Sequence, residues 1–212
     1  MRTQLLLSAR GFPYTRAVPG FREVERVTDR LISGPNGASH RRKAHTLFGV
    51  RQLSIRFAKF DEAEAIVHLT NAVFRGRDHF SRTSFASKRD VEKLMTQGKF
   101  LLAENDNGII GYAYVEPRME ASRLELLAVS PTQQRTGIGS QLLEAAERMS
   151  RSMHCLFMHV QVMNLNWETL TFCRRRGYVE FAIEPLHIQE SLSPHCHLVK
   201  MCKQLDTARS EF

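Results

Sequence analysis

The residues best placed to do chemistry are two glycines at the mouth of a helix. Leu124–Val129 reads as a strand, Ser130-Pro131 interrupts it, and Gln134-Arg135-Thr136-Gly137-Ile138-Gly139 leads into an amphipathic run. Glycines there let backbone come close to a ligand. The first N–H groups of a helix lack helical acceptors, and its dipole adds positive character. Together these make an anion site suited to a pyrophosphate. First helical turns usually favour Asp or Glu, yet no acid lies between Glu125 and Glu144, and Arg135 stands in the approach. A site kept for an external anion has that composition. A tight strand-to-helix turn without ligand explains the bare Gly-x-Gly equally well. Other phosphate motifs fit worse. No Gly-Lys-Ser/Thr follows the glycines, and Leu142 stands where a dinucleotide fingerprint has its third glycine.

His195, Cys196, His197 and Cys202 have the residue types of a metal site. In a strand the two histidines face one side and the two cysteines the other, so no metal is expected. Arg174-Arg175-Arg176 ends a helix, where cations suit the dipole, so nucleic acid is not expected as a partner. Trp167 reads as helix packing.

The elements that position the glycines follow from periodicity. Leu53, Ile55 and Phe57 alternate with Ser54, Arg56 and Ala58 as in a strand. Asp61 with Glu64 reads as a capping box for a helix whose apolar face is Ile66, Leu69 and Val73. Ser87 caps a second helix that runs to Gln97 and stops at Gly98. Phe100–Glu104 and Ile109–Glu116 form a hairpin through Asn105-Asp106-Asn107-Gly108, where Asn-Gly tolerates positive φ. Ile138, Leu142, Ala145, Ala146, Met149 and Met153 mark a long helix. Leu156–Val162 is a strand, Leu165–Arg176 a helix stopped by Gly177, and Tyr178–Ile183 and His197–Gln204 are the last strands. This order implies an α/β layered architecture with a mixed sheet.

Charge divides the chain in two. Residues 1–56 hold 11 Lys/Arg and 3 Asp/Glu, the whole +8 excess, while 57–212 hold 19 of each. Residues 1–52 lack a period and carry scattered Gly and Pro, so they read as a basic extension, expected to be poorly ordered, before a domain over 53–212. An Arg-rich start without acids before Glu23 also matches an organelle transit peptide, the alternative to a cytoplasmic location. The four scattered cysteines read as reduced thiols. No apolar stretch approaches the ~18 residues of a membrane span, so no membrane partner is expected.

Two motifs together resemble the GNAT acetyltransferase superfamily. The first has Leu127-Ala128-Val129-Ser130-Pro131 followed by Gln134-x-x-Gly137-x-Gly139. The second places Asn166, Thr169, Phe172, Cys173, Gly177 and Tyr178 at the spacing of the family's Asn-x-x-Ala-x-x-aromatic-Tyr-x-x-x-Gly-Phe. Residues 53–204 fit the family's element order.

The resemblance implies a mostly antiparallel central sheet flanked by helices, with one splayed parallel strand pair. It implies acetyl-CoA as co-substrate, without a metal, and transfer of acetyl to a primary amine of a small-molecule or peptide acceptor. Backbone at Gln134, Arg135, Thr136, Gly137, Ile138, Gly139 and Ser140 is then expected to hold the CoA pyrophosphate, with Asn166 nearby. The pantetheine arm is expected along Leu127, Ala128 and Val129, and an N–H near Leu127 to polarise the thioester carbonyl. Glu125 is the family-like base. Cys173 stands where the family usually has the tyrosine that reprotonates the thiolate, and it is either a weak acid or a core residue. That departure leaves a catalytically inactive CoA-binding module as the alternative. His79, Phe80 and Arg82 fall where family members build acceptor pockets. Tyr112, Tyr114 and His159 lie on strands facing the same cleft. The resemblance is compatible with a homodimer.

Overall fold

The structure, a computed structural model, describes Leu5–Leu6 and residues 53–74, 87–185 and 196–205. His79, Phe80, Arg82, His195 and the rest of the extension lie outside the described residues. The strands are β1 (Leu5–Leu6), β2 (Ser54–Phe57), β3 (Lys99–Asn105), β4 (Gly108–Arg118), β5 (Ala121–Val129), β6 (Phe157–Met163), β7 (Val179–Pro185) and β8 (His197–Gln204). The helices are α1 (Ala63–Phe74), α2 (Lys88–Gln97), α3 (Ile138–Ser152) and α4 (Trp167–Arg175). The sheet runs β2-β3-β4-β5-β6-β8-β7, with β1 added to β5. Among the described residues only β5 and β6 pair in parallel. This is the mixed, mostly antiparallel sheet expected.

Each face of the sheet has its own core. Leu142, Leu143, Ala145, Ala146 and Met149 of α3 bury against Leu101, Ala113, Leu124, Leu127 and Val160, joined by Leu170 and Cys173 of α4. Ile66, Leu69 and Val73 of α1, with Val91 of α2, bury against Phe100, Leu102, Tyr112, Tyr114, Leu126 and Ala128. Each such Leu or Met contributes about 1.5–3 kcal/mol by leaving water.

Local signals set most boundaries. Ser87 Oγ accepts the Asp90 N–H at 3.2 Å, capping α2, and the Gly98 N–H closes it on Leu94 O at 2.9 Å. Gly177, at φ +85°, ends α4 in a Schellman pair, its N–H bonding Arg174 O and that of Tyr178 bonding Cys173 O. Two expectations change. Asp61 does not cap α1. A 3₁₀ turn, Phe60–Glu62, precedes the helix, and the Glu62 carboxylate accepts the Lys59 N–H at 2.7 Å. Arg56 on β2 decides this, because its guanidinium bonds Glu62 at 2.6 and 2.8 Å and holds that carboxyl down to about 2. In the β3–β4 turn, positive φ falls on Gly108 but not on Asn107, whose N–H bonds Asn105 Oδ1 at 2.9 Å.

The helix that heads the site is tied to β8 by a buried acid. Glu147 of α3 is 4 % exposed. Lys203 Nζ of β8 donates to its two oxygens at 2.9 and 2.8 Å, Tyr178 Oη donates at 3.2 Å, and Arg151 lies at 3.4 Å. Replacing Glu147 with alanine leaves three donor side chains without this acceptor and is expected to cost about 3 kcal/mol, as breaking a buried pair does. Urea unfolding measures it, and a loss below ~1 kcal/mol would mean that Lys203 regains water without penalty.

Candidate active site

The centre of the sheet is interrupted at one residue. Tyr114 pairs with Leu126 and Val115 with Leu124, so Glu125 is the extra residue of a β-bulge on β5. The bulge reverses the alternation of side chains. Leu124 and Leu127 enter the core under α3, while Leu126 and Ala128 enter the opposite one. Parallel pairing with β6 stops at the same place, its last partners being Leu124 and Val160. Beyond it β6 continues from Gln161 to Met163 against β8, and β5 runs free of β6. Leu5–Leu6 lies along this edge, with Leu5 opposite Leu127 and Leu6 opposite Leu126.

β5 then delivers the chain to the head of α3. A 3₁₀ turn (Pro131–Gln133) follows Ser130, and Gln134 Nε2 donates to Val129 O at 3.1 Å. Thr136 Oγ1 donates to Gln133 O at 2.6 Å. Arg135 takes φ +66° and Gly137 φ +91°, the left-handed region that only glycine enters at little cost. Helical bonding begins with the N–H groups of Ser140 and Gln141 on Gly137 O, so those of Ile138 and Gly139 have no helical acceptor. The first turn of α3 holds no acid. A Cβ added at Gly137 would meet nothing within 4 Å, and one at Gly139 only Val129 Cγ2 at 3.8 Å. Open space above bare N–H donors fits a phosphate-bearing ligand.

That space belongs to a cleft of about 580 Å³. One side is Leu127, Val129, Gln134, Arg135, Gly137, Gly139 and Ser140. The other is α4 and its C-terminus, through Trp167, Glu168, Thr171, Phe172, Arg175 and Arg176. The two sides are bolted together. Arg176 bonds Ser140 Oγ, pairs with Glu144 at 3.1 Å and lies over the Phe172 ring at 5.2 Å. Trp167 is therefore not the helix-packing residue expected from sequence; it is 60 % exposed on the cleft wall. A signal for this wall was present, because 167, 171 and 175, like 168, 172 and 176, are spaced four apart and share one helical face.

Residues 96–180 match the family model described as an acetyltransferase (GNAT) domain. Over those residues the chain is similar to a GNAT domain. Among solved structures it is similar to the ribosomal-protein-S18-alanine N-acetyltransferase of Escherichia coli, at 14% identity and TM-score 0.63, covering 76% of this chain and 99% of that one. A Salmonella typhimurium protein solved with its cofactor acetyl-CoA is 20% identical, with TM-score 0.60 and coverage of 74% and 96%. An acetyltransferase of GNAT family from Streptococcus pneumoniae is 19% identical, with TM-score 0.60 and coverage of 73% and 99%. At these identities the likeness is one of fold. No curated protein matches the sequence.

The remaining candidates are distributed unevenly. Glu125 is buried and its carboxylate pairs with the Arg123 guanidinium. Tyr114 donates to Leu94 O at 3.0 Å and to Glu116 at 3.1 Å, and burial first, then Glu116, raises its hydroxyl. His159, opposite Arg123 across the parallel pair, is held below the usual imidazole range by burial and by Arg123. Cys173 faces the core under α3, 2 % exposed, and burial pushes its thiol up to about 12. Tyr112 is also inside the protein, bonded to Thr70 Oγ1 at 2.9 Å, so it does not line an open pocket. Ala128 and Ile138 are buried too. Asn166 caps α4, its Oδ1 accepting the Thr169 N–H at 3.3 Å. Among the described residues no His, Cys, Asp and Glu group is arranged to hold a metal, and no helix is long and apolar enough to cross a membrane.

Proposed function

We propose that this chain is an N-acetyltransferase that moves acetyl from acetyl-CoA to a primary amine. The observation that carries this reading is the separation of β5 from β6 after Leu124, beside an acid-free glycine cradle at the head of α3. Bound acetyl-CoA supplies an activated thioester carbonyl. The N–H groups of Ile138 and Gly139, the α3 dipole and Arg135 hold the pyrophosphate. The β5 backbone from Leu127 to Val129 receives the pantetheine arm as a short added strand, which aims the thioester at the bulge. An N–H near Leu127 polarises the carbonyl. Glu125 takes the proton from the incoming ammonium, directly or through one water, so that the free amine attacks. The new N–C bond forms as the C–S bond breaks, the thiolate leaves with the electron pair, and the proton that the acylated nitrogen sheds ends on that sulfur as the CoA thiol.

Thiol release from acetyl-CoA, followed against pooled primary amines on protein whose thermal midpoint acetyl-CoA has raised, tests this reading. Release that depends on both substrates supports it. A raised midpoint without release across amino acids, polyamines and peptide N-termini would favour a CoA-binding module without turnover. The buried Cys173 in the tyrosine position favours that second reading.

A pantetheine arm along β5 takes the edge on which Leu5–Leu6 lies. An internal occupant weakens apparent affinity by the fraction of molecules it blocks. Deleting residues 1–8 is therefore expected to tighten the acetyl-CoA Kd, as read by calorimetry on both chains. Weaker binding after deletion would mean that the N-terminal pair helps build the site.

A further inference from the structure

We propose that the exposed face of α4 reads the 3′-phosphoadenosine end of CoA, with Arg175 on the 3′-phosphate and Trp167 on the adenine. This rests on the acyl-CoA reading above. A pyrophosphate carries two charges, which the N–H groups of the cradle and Arg135 already meet. The cleft continues past that cradle onto α4 and adds two more guanidinium groups, Arg175 and Arg176. CoA has one further anion, the ribose 3′-phosphate. It is a phosphomonoester of charge about −1.5 to −2 at neutral pH.

The three consecutive arginines divide their work. Arg174 turns to Glu180 on β7 at 2.5 Å, away from the cleft lining. Arg176 holds Ser140 and Glu144 and so fixes α4 against the cradle. Arg175 lines the cleft with no ion pair among the described residues. Charge also orders the wall along its length. Glu168 makes the N-terminal end unfavourable for a phosphate, and the uncharged adenine suits that end, where the Trp167 indole is exposed. An indole face stacks well on a planar base. Two turns further on, Arg175 is the cation that a phosphomonoester meets.

Kd values for acetyl-CoA and acetyl-3′-dephospho-CoA, measured on the full chain, Arg175→Ala and Trp167→Ala at low ionic strength, test the assignment. The wild-type chain is expected to prefer acetyl-CoA by about tenfold, the size of one charge-assisted contact. Arg175→Ala should lose that factor for acetyl-CoA and leave the dephospho ester unchanged, bringing the ratio to about one. Trp167→Ala should weaken both esters equally. Equal wild-type affinity for the two esters, or equal weakening of both by Arg175→Ala, would overturn it. Binding of neither ester would instead overturn the cradle reading, and this assignment with it.

Discussion

Gly137→Glu is expected to abolish acetyl-CoA binding and leave the fold intact. The fold survives because a side chain at 137 meets no neighbour within 4 Å. The left-handed φ of +91° costs a non-glycine residue about 1–2 kcal/mol, a fraction of ordinary domain stability. Binding fails because the carboxylate sits over the N–H groups that would hold a pyrophosphate, in the first turn of a helix whose dipole then neutralises it instead. Loss of affinity should exceed about 100-fold, or 2.7 kcal/mol. Thermal unfolding reads this directly. At about 100 times the Kd, acetyl-CoA should raise the wild-type midpoint by roughly 5–10 °C and the variant's not at all. Gly137→Asn separates charge from shape, since asparagine tolerates positive φ and brings no charge. It should retain measurable binding. Undiminished affinity in Gly137→Glu would remove the cradle from the proposed site.

The features legible in the sequence were those decided within a few residues. The acid-free approach to α3, the Ser87 cap and the stop at Gly177 each depend on neighbours in the chain. The features that escaped depend on residues far away. Asp61 and Glu64 have capping-box spacing, but Arg56 recruits Glu62 from another element and starts the helix through a 3₁₀ turn. The chain doubles back through Met119-Glu120, at φ +27° for an exposed Met119, a position that no glycine marks. Strand alternation through Leu124–Val129 looks continuous, and only the register against β4 exposes the bulge at Glu125. Tyr112 shows the reverse error. A tyrosine on a central strand suggests a cleft, yet the Thr70 hydroxyl on α1 satisfies its own and permits full burial. Helical periodicity finds the stripe that carries Trp167 but not what covers it.

Glu125→Gln should lower the turnover rate about 100-fold, the contribution of one positioned base, and leave acetyl-CoA affinity unchanged. The bulge is the reason to choose this residue. An unbulged strand would return Glu125 to simple alternation between the two cores, whereas the extra residue re-aims it at the point where β5 leaves β6. Arg123 pairs with it and holds the carboxylate in position. Glutamine keeps the size and one acceptor oxygen for Arg123, so the test removes proton affinity more than it removes packing. The sign with pH follows. A carboxylate base works only once it has shed its own proton, so turnover rises from acid toward neutral pH. The variant should lose this rise and recover rate only at alkaline pH, where the amine arrives already deprotonated. An unchanged pH–rate profile would place the base elsewhere. His159 is the next candidate, because burial and Arg123 keep its imidazole neutral at pH 7, and His159→Gln would then carry the loss that Glu125→Gln did not.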